Sequence, residues 1–189
     1  MPASTERGKV LITAYGMFWR RDDVNWSPGR GQGRRTSGTP FELLGRRGKN
    51  RGNLQVIDAR KMKGVYLLHN DYGTYYVGLA KGEQGLGNRL YGHTRDHHKD
   101  NWTSFSWFAF DTLLRTVDEH GYLRYNPTPA NRLLKPSDLV KDVEAMLMLS
   151  LGTLERGNQN TSRFRRAIEW EQVRLEDRVA LLERIAPRR

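Results

Sequence analysis

Two tyrosines, an arginine, a histidine and a single carboxylate stand at spacings that could serve one reaction. They are Tyr66 in Gly64-Val65-Tyr66, Tyr76 in Tyr76-Val77-Gly78 ten residues on, then Arg89, His93 and the distant Glu144. These are the groups that hydrolysis of a phosphodiester with one divalent cation would need. A guanidinium stabilises the charge that develops on phosphorus oxygens. A histidine titrating near neutrality can take a proton from water directly or through a phenol. A phenol ionises near 10 and acts as a base itself only if cations pull that value down. Mg²⁺ or Mn²⁺ needs few protein carboxylates, because water and phosphate oxygens fill its other positions. One acid, Glu144, is therefore enough.

The bland alternatives are real. Tyrosines often pack in strands with the hydroxyl near water. Arg89 could pair with a surface acid, and Glu144 with one of 32 lysines and arginines. The i,i+4 pair His93 and His97 could chelate a transition metal, but the HExxH pattern that would strengthen that reading is missing.

The elements that must position these groups follow from local pattern. Residues 64–69 and 74–80 are β-branched and aromatic runs around the turn-forming Asn70-Asp71-Tyr72-Gly73, which predicts a β-hairpin. Pairing symmetric about position 71 would set Tyr66 opposite Tyr76 on one face. Asn88 is a candidate cap for a helix from Arg89 to about His98, which would carry Arg89 and His93 on one side. Residues 104–110 read as a third strand, and 112–117 with 122–125 as a second hairpin. Ser137 opens a helix to about Leu154, with Val140, Val143, Leu147 and Leu151 as its apolar stripe. Glu144 falls inside that stripe, where burial of an unpaired acid would cost several kcal/mol, roughly. Thr161 or Ser162 opens a long charged helix to about Ile185, with Phe164, Ile168, Leu175, Val179 and Leu182 inward. Trp102, Phe105 and Trp107 could stack on bases but fit a core better.

The chain of 189 residues has a formal charge of +11 and a pI near 10.2. Such a surplus of Lys and Arg suits a polyanion, whose counterions are released on binding. Residues 28–52 concentrate it with Glu42 as their one acid, so Arg30, Arg34, Arg35, Arg46, Arg47 and Lys49 are candidate phosphate contacts, joined by Lys81, His97 and Lys99. There is no cysteine, which excludes disulfides and thiolate zinc sites. No apolar run approaches a membrane span and no signal peptide is evident, so a cytoplasmic protein without a membrane partner is expected.

The order GVY, YVG, Arg89, His93 and Glu144 resembles the GIY-YIG nuclease family over about residues 60–164. Gly64-Val65-Tyr66 matches the first element and Tyr76-Val77-Gly78 the second. Arg89, His93 and Glu144 match the helical arginine, the His-or-Tyr and the metal-binding glutamate. Asn158 is the preferred match to a late asparagine, with Asn160 close behind. Two features depart from the pattern: a longer segment before Arg89, and Leu79 where some members place a lysine, a role Lys81 could take. The resemblance implies an α+β fold, a small three-stranded antiparallel sheet flanked by helices with the tyrosine face lining the site. The expected organisation is a basic N-terminal extension (1–60), a nuclease core (61–164) and a C-terminal helix packed on it (165–189). The implied activity is a metal-dependent DNA endonuclease, restriction-like or from a mobile element, leaving 5′-phosphate and 3′-hydroxyl. Its partner would be duplex DNA, and cutting both strands allows a homodimer. A non-catalytic nucleic-acid-binding module and an RNA nuclease are the alternatives.

Overall fold

A computed structural model describes residues 10–26, 41–48, 54–126, 136–151, 164 and 166–185. In chain order the strands and helices are β1 (Ala14–Arg20), β2 (Leu44–Arg47), β3 (Gln55–Asp58), β4 (Gly64–Asn70), β5 (Gly73–Ala80), α1 (Gly85–His93) and β6 (Ser104–Ala109). There follow β7 (Thr112–Val117), β8 (Leu123–Asn126), α2 (Pro136–Leu151), β9 (Ile168–Glu169), β10 (Glu171–Gln172) and α3 (Arg178–Ile185). The fold is mixed α+β. One sheet has the order β5-β4-β6-β1-β9, a second β10-β2-β3, and β7 pairs with β8. Among the described residues no helix is long and apolar enough to cross a membrane.

The expected three antiparallel strands are β5, β4 and β6, but the sheet does not end there. β1 pairs antiparallel with β6, and β9 adds in parallel to β1. Part of the segment expected as an N-terminal extension is therefore a strand of the main sheet. The expected C-terminal helix is also corrected. Residues 168–172 form short strands, and among the described residues of this segment only Arg178–Ile185 is helical. The reason lies in alternation: exposed Glu169 and Glu171 flank buried Trp170, a period of two that a strand satisfies. Trp170 and Trp19 close on Gly45 from the two sheets, joining them.

Alternation also divides the main sheet into two faces. Tyr66, Leu68, Phe105 and Trp107 share a core with Leu86 and Leu90 of α1. Leu67 and Phe108 face the other way, with Met146 of α2 against them. The two helices thus cover opposite faces. Trp102, Phe105 and Trp107 are core residues, as the bland reading had it.

α2 spans nearly the expected residues but turns a different side inward. Asp142, Ala145, Met148 and Ser150 are buried, while Val140, Val143, Leu147 and Leu151 are exposed. Polar bonds fix this rotation. The Asp142 Oδ2 accepts the backbone N–H of Leu11 at 2.7 Å and of Ile12 at 3.1 Å. The Ser150 carbonyl accepts the Thr74 hydroxyl at 3.3 Å. Among the described side chains of this helix the buried acid is Asp142, and Glu144 is exposed.

Beneath β5, His69 is buried between hydroxyls: Nε2 lies 2.8 Å from Ser106 Oγ and Nδ1 3.2 Å from Thr74 Oγ1. Burial lowers its pKa to about 4 from the ordinary 6.5. Below 6.5 the unfolded chain takes up a proton that the folded state refuses. Stability from this group is therefore complete above pH 6.5 and lost as pH falls through 4. Asp58 works in the opposite sense: burial lifts its carboxyl to about 6 against the pull of Arg60, so folding takes up a proton between about 4 and 6. The two slopes offset each other in wild type. Replacing His69→Gln keeps hydrogen-bonding capacity and removes one slope. Urea melts should show the wild-type advantage over the variant growing by about 3 kcal/mol between pH 4 and pH 7. A difference that stays constant with pH would refute a neutral buried imidazole.

Candidate functional site

The β4–β5 hairpin forms where expected, turned by Asn70, whose side-chain oxygen accepts the Tyr72 N–H at 2.9 Å. Its register differs from the symmetric pairing. Tyr66 lies opposite Gly78, and Tyr76 opposite Leu68. The two tyrosines still share a face, as diagonal neighbours with ring centroids 6.2 Å apart. The pairing skips Tyr75, between Leu68–Tyr76 and His69–Thr74. This bulge re-aims a side chain, as bulges do, and the Tyr75 hydroxyl meets His98 Nδ1 at 3.0 Å.

α1 begins at Gly85 rather than beside Asn88, and ends at His93 rather than His98. Thr94 and Asp96 explain the early stop, since their side chains bond nearby backbone and compete with helix. The Thr94 hydroxyl donates to the Tyr91 carbonyl at 2.7 Å, and Asp96 Oδ1 accepts the His98 N–H at 2.8 Å. The Trp102 indole N–H then takes the His93 carbonyl. The Arg21 guanidinium lies over the Trp102 ring and donates to the Lys99 carbonyl, anchoring this loop to the turn that follows β1.

Together these elements assemble a compact polar group around a buried phenol. The Tyr66 hydroxyl is 2.8 Å from His93 Nε2, and His93 Nδ1 is 2.8 Å from Asp96 Oδ2. Tyr76 lies edge-on to His93 at 5.1 Å and beside His98 at 4.7 Å between ring centroids. Burial pushes the Tyr66 phenol up to about 12, with Tyr76 adding to it and the Arg89 guanidinium pulling against both. Tyr66 is thus a protonated phenol near neutral pH. Burial disfavours ionised Asp96, but the His98 N–H and the His93 imidazole outweigh it and hold the carboxyl below its ordinary range. An ionised carboxylate can only accept, so His93 Nδ1 carries a proton, and in the neutral ring Nε2 is then the acceptor for the Tyr66 hydroxyl. Burial, then the neighbouring His97, lowers the His98 imidazole below its ordinary value.

Of the residues singled out from sequence, Tyr66, Tyr76, Arg89 and His93 come together. Glu144 sits on another element. It stands on α2, across the sheet from Tyr66, and the stripe argued to bury it is open to solvent. The edge strand β5 is nonetheless touched by both α1 and α2, so exposed Arg89 and exposed Glu144 belong to helices flanking the same edge. An exposed single carboxylate suits a hydrated hard cation completed by water and phosphate oxygens. In donor chemistry, Glu144 fits Mg²⁺ or Mn²⁺.

Arg46 is corrected as a phosphate contact: it is buried and ion-paired to Glu171 at 3.0 Å and Asp177 at 2.8 Å. Arg47 is exposed on β2 and Lys81 just beyond β5. His97 and Lys99 are exposed on the loop after α1, the His97 ring 3.9 Å from that of His98. Arg30, Arg34, Arg35, Lys49, Asn158 and Asn160 lie outside the described residues. Sequence reasoning missed Asp96, His98 and Tyr75. The spacing His93-x-x-Asp96-x-His98 was the available signal, hidden by the expectation of continuous helix.

No family model, no curated protein and no solved structure matches this chain.

Proposed function

We propose that this protein is a phosphodiester hydrolase acting on DNA, an endonuclease of the GIY-YIG kind. The observation that carries the reading is the chain of two 2.8 Å contacts from Tyr66 to His93 to Asp96, beside an exposed guanidinium. It is the geometry of a general base with its orienting acid, and a phenol stands at the front. Two further features support it. The motif strands adjoin as β5-β4-β6 with both tyrosines on one face, and the chain carries a net charge of +11.

In this reading a water molecule gives its proton to the Tyr66 oxygen while the phenolic proton moves to His93 Nε2. Asp96 stabilises the imidazolium that results. Arg89 holds a phosphate oxygen and offsets the charge of the transition state. Tyr76, edge-on to His93, orients the phosphate or the water. Glu144 would hold Mg²⁺ or Mn²⁺, and the ion would neutralise the phosphate and the departing 3′-oxygen. The protonated state of Tyr66 shifts the base role from phenolate to His93, with the phenol as its conductor.

Supercoiled plasmid incubated with the purified protein and Mg²⁺ tests this. Wild type should nick and then linearise it. Arg89→Ala and Glu144→Gln should each slow cleavage by about 10²-fold or more. Equal nicking by all three proteins would place the activity elsewhere and end the assignment.

A further inference from the structure

We propose that His93, Asp96 and His98 form a second metal site, one for a transition ion such as Zn²⁺ or Co²⁺, on the loop leaving α1. One nitrogen of each ring and one carboxylate oxygen lie within 4.8 Å of one another. The His93–Asp96 pair is already at 2.8 Å. Donors around a tetrahedral zinc, with bonds of 2.0–2.1 Å, stand about 3.3 Å apart. The site therefore needs a contraction of about 1.5 Å at most, in a loop where His98 is only half-buried.

The outer contacts point the same way. A ligating histidine usually has its other ring nitrogen fixed by a hydrogen bond. Here two phenols do this, Tyr66 on His93 Nε2 and Tyr75 on His98 Nδ1. The nitrogens they leave are Nδ1 of His93, which faces Asp96, and Nε2 of His98. Two imidazoles and one carboxylate, with a fourth position for water, select a borderline ion over Mg²⁺. Asp96 serves the loop as well as the ion, because its Oδ1 takes the His98 N–H and holds the two histidines on one turn.

The binding does not depend on the nuclease reading, though one consequence does. An ion on Nδ1 needs the lone pair there, so the neutral His93 ring must carry its single N–H on Nε2. It would then donate to Tyr66 and could not accept from it. The loaded protein would be blocked as a general base.

The 189-residue chain without a histidine tag, free of Mg²⁺ and of nucleic acid, is titrated with CoCl₂ and read by visible absorption. ZnCl₂ is followed by calorimetry. Wild type should bind one equivalent, with the intense d–d bands of low-symmetry cobalt, at a dissociation constant of about 10 μM or tighter. His98→Gln and Asp96→Asn should weaken binding at least about tenfold, with circular dichroism matching that of metal-free wild type. His98→Cys gives an independent reading: a thiolate-to-cobalt charge-transfer band arises only if residue 98 is a ligand. Wild type binding no tighter than about 1 mM, His98→Gln binding like wild type, or His98→Cys lacking that band would overturn the site. Such a result would leave plasmid cleavage untouched, so the two readings fail separately.

Discussion

Tyr66→Phe should reduce Mg²⁺-dependent plasmid cleavage by about 10²- to 10⁴-fold, the range for losing a positioned proton-transfer group. The ring of Tyr66 is fully buried among Tyr76, His93 and Gly78, and phenylalanine fills the same space. Folding and DNA affinity should therefore survive. What disappears is the hydroxyl that meets His93 Nε2 at 2.8 Å. Because burial holds that phenol near 12, the variant removes a proton conductor rather than a phenolate. His93→Gln should cost a similar factor. The double variant should be little worse than either single one, since residues that act as a unit are not additive. Single-turnover nicking, with filter binding as the affinity control, measures both. Wild-type rates from Tyr66→Phe would remove the relay from the mechanism.

The second large effect is expected from the glycines of the two motifs. A Cβ on Gly64 would sit 1.9 Å from the carbonyl oxygen of Phe108, which is backbone in a neighbouring strand. β4 is paired on both sides, with β5 and β6, so neither strand can retreat without losing its ladder. Gly64→Ala should cost about 3 kcal/mol or more. The melting temperature should fall by roughly 6–12 °C at 2–4 °C per kcal/mol. Gly78→Ala differs in kind. Its Cβ would lie 2.2 Å from the Tyr66 hydroxyl, and β5 is an edge strand with room to move. Stability should fall less, while the phenol is pushed off His93 and cleavage drops nearly as far as in Tyr66→Phe. Urea melts and nicking assays on the two variants separate the effects. A Gly64→Ala protein within about 1 kcal/mol of wild type would contradict the close approach of β4 and β6.

These glycines show where sequence and structure divide the work. As letters they delimit two triplets, and as atoms they are the places where a strand and a phenol come too close for a methyl group. Local pattern was sufficient for the hairpin at 64–80, the strand after residue 103, the second hairpin and the span of α2. In each case the signal is a run of side chains read by its own backbone, within a few residues. It also put Tyr66, Tyr76, Arg89 and His93 in one list.

Other features rested on partners distant in the chain. The side of α2 that turns inward depends on Asp142 reaching the N–H groups of Leu11 and Ile12, which no periodicity within the helix reveals. That rotation exposed Glu144 and its apolar neighbours. Arg46 looked like one more basic residue until Glu171 and Asp177 were brought beside it from over a hundred residues away. The joining of β1 and β9 to the sheet, and the strands at 168–172 in place of a long helix, are likewise pairings across the length of the chain. The hydrogen bonds that stop α1 at His93, and so place Asp96 and His98 around it, decided the site's chemistry. Residue types and their order were legible because they are local. Orientation, burial and the identity of each polar partner were decided only by tertiary packing, because a side chain's environment is made by residues its own segment does not contain.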